Sequence, residues 1–140
     1  MKLFERSGVR FRYPSNWTLD TDDAGDGWTV TLQSPDTAFA LVSLRPDADG
    51  PEQVAEEALA ALKAEYPGLE PTDTTGTVAG APAVGHDIDF LTLDTTITCW
   101  TRCIDTTAGP LLVMGQVSDY DRDQNEPVLR AVFASVELDE

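Results

Sequence analysis

One histidine, two cysteines and a run of alternating aspartates are the residues of this chain whose types lend themselves to chemistry. His86 is the only histidine. A general base needs a partner group, and a metal centre needs several nitrogen or sulfur ligands, so a lone histidine supplies neither. Val84, Ile88 and Phe90 alternate with it, which places His86 on the apolar face of a strand and Asp87 and Asp89 on the other. The expectation is a packed or edge histidine. Asp119, Asp121 and Asp123 alternate like the opening ligands of a calcium loop. Gln124, however, stands where the turn glycine belongs, and Arg130 where the bidentate glutamate belongs. The segment reads as an acidic cap for a following helix, whose N-terminal end favours negative charge. A divalent cation or small molecule held by the loop 119–126 is the alternative.

Cys99 and Cys103 share one face of a predicted strand. Residues four apart on a strand lie about 13 Å apart, whereas a disulfide needs Cα atoms roughly 5.5 Å apart. Free, half-buried thiols are expected, which suits a reducing compartment. Arg102, the nearest positive charge in sequence, points to the opposite face and cannot activate them. Trp100 shares that opposite face with Thr98 and Arg102, so Trp100 and Arg102 are the expected contacts for a partner. Trp17 and Trp28 are assigned to the core. No nucleophile elbow, phosphate loop, dinucleotide fingerprint or paired zinc-ligand motif occurs. No catalytic, cofactor-binding or metal-binding residue is therefore assigned, and a non-enzymatic role is expected.

The elements that must position these residues are mostly strands. Short apolar-alternating segments are predicted at Lys2 to Glu5, Val9 to Tyr13, from Trp17, at Trp28 to Gln33, Thr37 to Leu44, Ala83 to Leu93, Thr95 to Asp105 and Leu111 to Ser118. Leu69 to Val78 reads as a loop or edge strand. Turns are placed at Asp22 to Gly27, Gly80 to Pro82 and Thr107 to Pro110. Pro51 opens a helix after Asp49 or Gly50, with Val54, Ala55, Ala58, Leu59, Leu62 and Tyr66 as its apolar stripe, and Pro67-Gly68 ends it. A last helix starts near Asp123 to Pro127 and buries Val128, Leu129, Val132, Phe133 and Val136. Consecutive strands with short links make an antiparallel meander, so the class is α+β, one domain over residues 1–140 with helices packed on the sheet as an α/β/α sandwich.

Phe11-Arg12-Tyr13-Pro14-Ser15-Asn16-Trp17, the mid-chain helix, Gly80-Ala81-Pro82-Ala83 and the closing Val132 to Leu138 segment resemble the PsbP-like/Mog-type fold family. That family includes an extrinsic photosystem II subunit, a Ran-binding protein, and bacterial chaperone-like and lipoprotein relatives. The resemblance implies binding or scaffolding by a sheet face or groove offered to a protein partner. It carries no functional residue across, because the matched positions are core and turn positions.

Composition narrows the partners. Nine basic residues face 25 acidic ones, a net charge of −16. Such a surface repels phosphate backbones and anionic lipid, so neither nucleic acid nor membrane is an expected partner. No apolar run reaches the length of a membrane span. With no leader-like N-terminus, a soluble cytoplasmic protein is expected.

Overall fold

The computed structural model describes residues 1–139. In chain order its elements are β1 (Lys2–Arg6), β2 (Val9–Tyr13), β3 (Thr18–Ala24), β4 (Gly27–Gln33), β5 (Phe39–Leu44), α1 (Pro51–Glu65), β6 (Glu70–Val78), β7 (Ala81–Leu91), β8 (Thr96–Thr106), β9 (Gly109–Ser118), α2 (Arg122–Ala134) and β10 (Glu137–Leu138). Strands β3 to β9 form one seven-stranded sheet in the order β3-β4-β5-β9-β8-β7-β6, antiparallel throughout. The α+β class is as expected. A separate sheet, β1-β2-β10, is not, and it replaces the single sheet of the sequence reading. Two-residue β10 carries too short a pattern to be read from sequence.

Alternation decides which face each layer covers. Trp28, Val30 and Leu32 of β4 are buried on one face, together with Ala40, Val42 and Leu44 of β5. That face packs on Val9, Phe11 and Tyr13 of β2 and on Leu129 and Val132 of α2. Phe4 and Phe11 stack at 4.9 Å, and Phe4 leans on Trp28 at 5.3 Å, which fastens the small sheet to the large one. The opposite face receives α1. Val54 and Ala55 press on Cys103 and Leu112, and Leu59 belongs with Ile88, Phe90 and Cys99. The sandwich is therefore one helix, a large sheet, then a mixed layer of small sheet and helix. Helix α1 packs mainly on β7, β8 and β9. Beyond it the same face presents Thr18, Asp20, Thr29 and Thr31 of β3 and β4, exposed or half-buried.

Three turns move relative to expectation. The β6–β7 turn is Ala79-Gly80 rather than Gly80 to Pro82, with φ of 53° and 77°. Two positive φ values in a two-residue hairpin match the strand twist, and glycine takes the second without strain. Ala81 and Pro82 already pair with Val78 and Thr77. Similarly, β3 continues to Ala24 and the turn shrinks to Gly25-Asp26, while Pro110 belongs to β9. Helix α1 has Gly50 as its N-cap, with Pro51 in the first turn, and the Asp49 N–H donates to the Gln53 side chain.

Candidate functional site

Trp100 is not the exposed contact that its strand face suggested. It is 3% exposed and lies under α2. Phe133 meets its ring edge-on at 5.8 Å, and the Arg130 guanidinium sits 5.0 Å over its face. Gly115, its cross-strand partner, makes the room: a Cβ there would stand 3.2 Å from both Trp100 and Phe133. Arg102 is likewise turned to internal duty. Its Nη2 lies 2.9 Å from Asp87 Oδ1, and its Nη1 donates to the Thr101 carbonyl at 2.7 Å. Strand alternation assigned both residues to the correct face and said nothing of what would cover that face.

His86 is buried as expected, on the α1 side. Its Nε2 lies 3.1 Å from Asp73 Oδ1 on the paired strand β6 and 3.8 Å from Glu56 Oε1 on α1. Among the described residues its buried Nδ1 has no hydrogen-bond partner. Its backbone N–H donates to Thr101 Oγ1 at 3.0 Å. The carboxylates were missed in the sequence because they lie 13 and 30 positions upstream, joined to His86 only by strand pairing and helix packing. Cys99 and Cys103 are free, fully buried and on the same face as His86. Burial pushes both thiols up to about 12, so both stay protonated and unreactive at neutral pH.

The acidic loop folds inward at its centre. Asp121 is buried and accepts hydrogen bonds from the Thr37 hydroxyl, from Asn125 Nδ2 at 2.6 Å and from Ser118 Oγ at 3.4 Å. Burial alone would raise its pKa. The hydrogen bonds from the side chains of Thr37 and Asn125 and from the backbone of Thr37 and Ala38 outweigh that, and the carboxyl ends below its ordinary range. Asp119 and Asp123 remain exposed. Among the described residues no group of three histidine, cysteine or acidic side chains is placed to hold a metal ion.

The feature that sequence reasoning missed lies at the β7–β8 hairpin tip. Leu91 is 80% exposed, Leu93 fully exposed and Tyr120 68% exposed, and the three line one open hollow. Leu91 and Thr96 also border a separate groove of about 570 Å³ at the C-terminal end of α1. Leu69, Phe90 and Tyr66 supply the groove's apolar wall, with Tyr66 and Phe90 stacked at 4.2 Å. The signal was present in the phase: Leu91 follows Asp87 and Asp89 on the outward register of β7. His86 lines neither this groove nor the hollow.

No protein-family model matches this chain, and no curated protein matches it by sequence. Its fold does have solved counterparts. The cyanobacterial PsbP (CyanoP) of Synechocystis superposes with a TM-score of 0.64 at 14% identity, covering 99% of this chain and 92% of that one. A Pseudomonas aeruginosa protein of unknown function gives 0.61 at 14% identity, covering 100% and 98%. A Bacteroides thetaiotaomicron protein gives 0.60 at 14% identity over 95% of this chain, which spans only 46% of that longer protein. The fold is PsbP-like; the Mog-type part of the resemblance finds no support in these structures. Among the described residues no helix is long and apolar enough to cross a membrane.

Proposed function

We propose that this chain is a non-enzymatic binding protein that docks a protein partner at the end built from Leu91, Leu93, Tyr120 and the adjoining groove. One observation carries the reading. Among the described residues the large hydrophobic side chains most open to solvent are Met1, Leu3, Leu91, Leu93 and Tyr120, and the last three line one open hollow. Apolar side chains scattered singly need no explanation, whereas a contiguous exposed cluster beside a groove marks an interaction surface. The groove is a better candidate than the uncovered part of the sheet, because the latter is faced with threonine and aspartate. A reducing, cytoplasmic setting suits the two free buried thiols.

A photo-crosslinking residue placed at Leu93 in the source cell tests the reading, with the exposed position Asp22 on β3 as the comparison. A discrete protein adduct is expected from position 93 and not from position 22, and it should disappear when Leu91 and Tyr120 are both replaced by serine. Indistinguishable adducts from both positions would end the proposal.

A further inference from the structure

We infer that the docking end selects a cationic segment carrying apolar anchors: leucine-like side chains that enter the groove, flanked by arginine or lysine. This rests on the docking surface proposed above and assigns the chemistry of its occupant. The charge around the surface is of one sign. Glu65, Glu70 and Asp89 line the groove, and Asp94 and Asp119 line the hollow beyond Leu91, with no lysine or arginine among the lining residues.

Elsewhere on the molecule arginine compensates a minority of the 25 acids. Arg6 pairs with Asp23, Arg10 with Glu5, Glu137 and Asp139, Arg102 with Asp87, and Arg122 and Arg130 with Glu126. Among the described residues none of the five acids at the docking end joins an ion pair. Asp89 accepts only a threonine hydroxyl, from Thr98 at 3.1 Å, and Asp94 is met by the hydroxyls of Thr92 and Tyr120. Like charges gathered without compensation around an apolar surface repel one another, and a positive partner relieves the repulsion as it binds. An acidic segment would add to the repulsion, and a neutral apolar one would leave it in place. Apolar burial in the groove then sets how long the complex lasts, and the rim charges set how fast it forms.

The probes are three labelled peptides of one length: leucines with arginines, serines with arginines, and leucines with glutamates. Each is titrated by fluorescence anisotropy against the intact chain, against Leu91→Ser/Leu93→Ser, and against Glu70→Gln/Asp119→Asn. All four positions are exposed, and a melting temperature no lower than the parent chain's verifies each fold. The leucine–arginine peptide is expected to bind at least about tenfold tighter than the serine–arginine peptide, the scale set by burying one leucine side chain. That advantage should vanish in Leu91→Ser/Leu93→Ser. The Glu70→Gln/Asp119→Asn variant should bind it more weakly and with a shallower salt dependence. If the leucine–glutamate peptide binds as tightly, the cationic assignment is wrong while the docking surface stands. If the two arginine peptides bind alike, or the leucine variant binds as well as the parent chain, only diffuse attraction to an acidic protein is present, and the docking surface falls too. Absence of binding by all three overturns the inference, and the crosslink at position 93 then reports separately on the docking reading.

Discussion

Trp100 and Asp121 show how a side chain suited to contact is diverted inward. Trp100 fills the space that Gly115 vacates, and Phe133 and Arg130 close over it. Trp100→Ala therefore opens a cavity between β8 and α2, and the cost expected from large-to-small core substitutions is about 3–5 kcal/mol. Urea unfolding with an unchanged m-value measures it; a loss below about 1 kcal/mol would show that the site collapses around the gap. Asp121 ties three places together: the Thr37 hydroxyl before β5, Ser118 at the end of β9, and Asn125 in α2. Its folded pKa is depressed, so the stability it adds is complete above the unfolded carboxylate value near 4 and is lost as pH falls through the lower folded value. Asp121→Asn should cost about 1.5–3 kcal/mol at neutral pH, the range for hydrogen bonds to a charged group. The gap between variant and parent in denaturant midpoint should narrow below about pH 4; a gap independent of pH would mean that the charge is not what matters.

Elements were legible wherever one period ran unbroken. Val9 to Tyr13, Trp28 to Leu32 and the stripe of α1 from Val54 to Tyr66 each repeat a single spacing, and each forms within a residue or two of its expected bounds. Asp22-Asp23 failed as a turn signal, because an exposed strand in a hairpin tolerates aspartate and cross-strand pairing with Trp28 and Thr29 overrides its preference. The second sheet was invisible for a different reason. Alternation in β1 and β2 announces strands without saying which strand they join, and the decision is made by Phe4, Phe11 and Trp28 meeting across layers. The same limit explains the site. Alternation places His86 on the packed face of its strand, but its carboxylate neighbours come from β6 and α1. Strand periodicity takes in Leu91 and Leu93, and the outward register of Leu91 marks it as a side chain without cover.

At the scale of the whole molecule, charge is the dominant unpaired quantity. Nine bases cannot neutralise 25 acids, and the −16 left over is spread on a domain of 15.2 kDa. Self-repulsion of that kind destabilises the compact state and is screened by salt. The melting temperature is therefore expected to rise between low and molar NaCl, followed by circular dichroism; a flat or falling trend would place the acids in compensated positions instead.

The small sheet also fixes the orientation of the molecule. Asp139 donates its N–H to the Gly8 carbonyl, and both residues border the same hollow as Thr106 and Thr107. Strand β8 runs from that pole to Thr96 in 11 residues, about 30 Å at the usual rise of a strand. A dye or a link to a bead attached at the Asp139 side chain sits at the pole remote from Leu93. Such an attachment holds the leucine tip outward into the medium, like a lamp at the far end of its post.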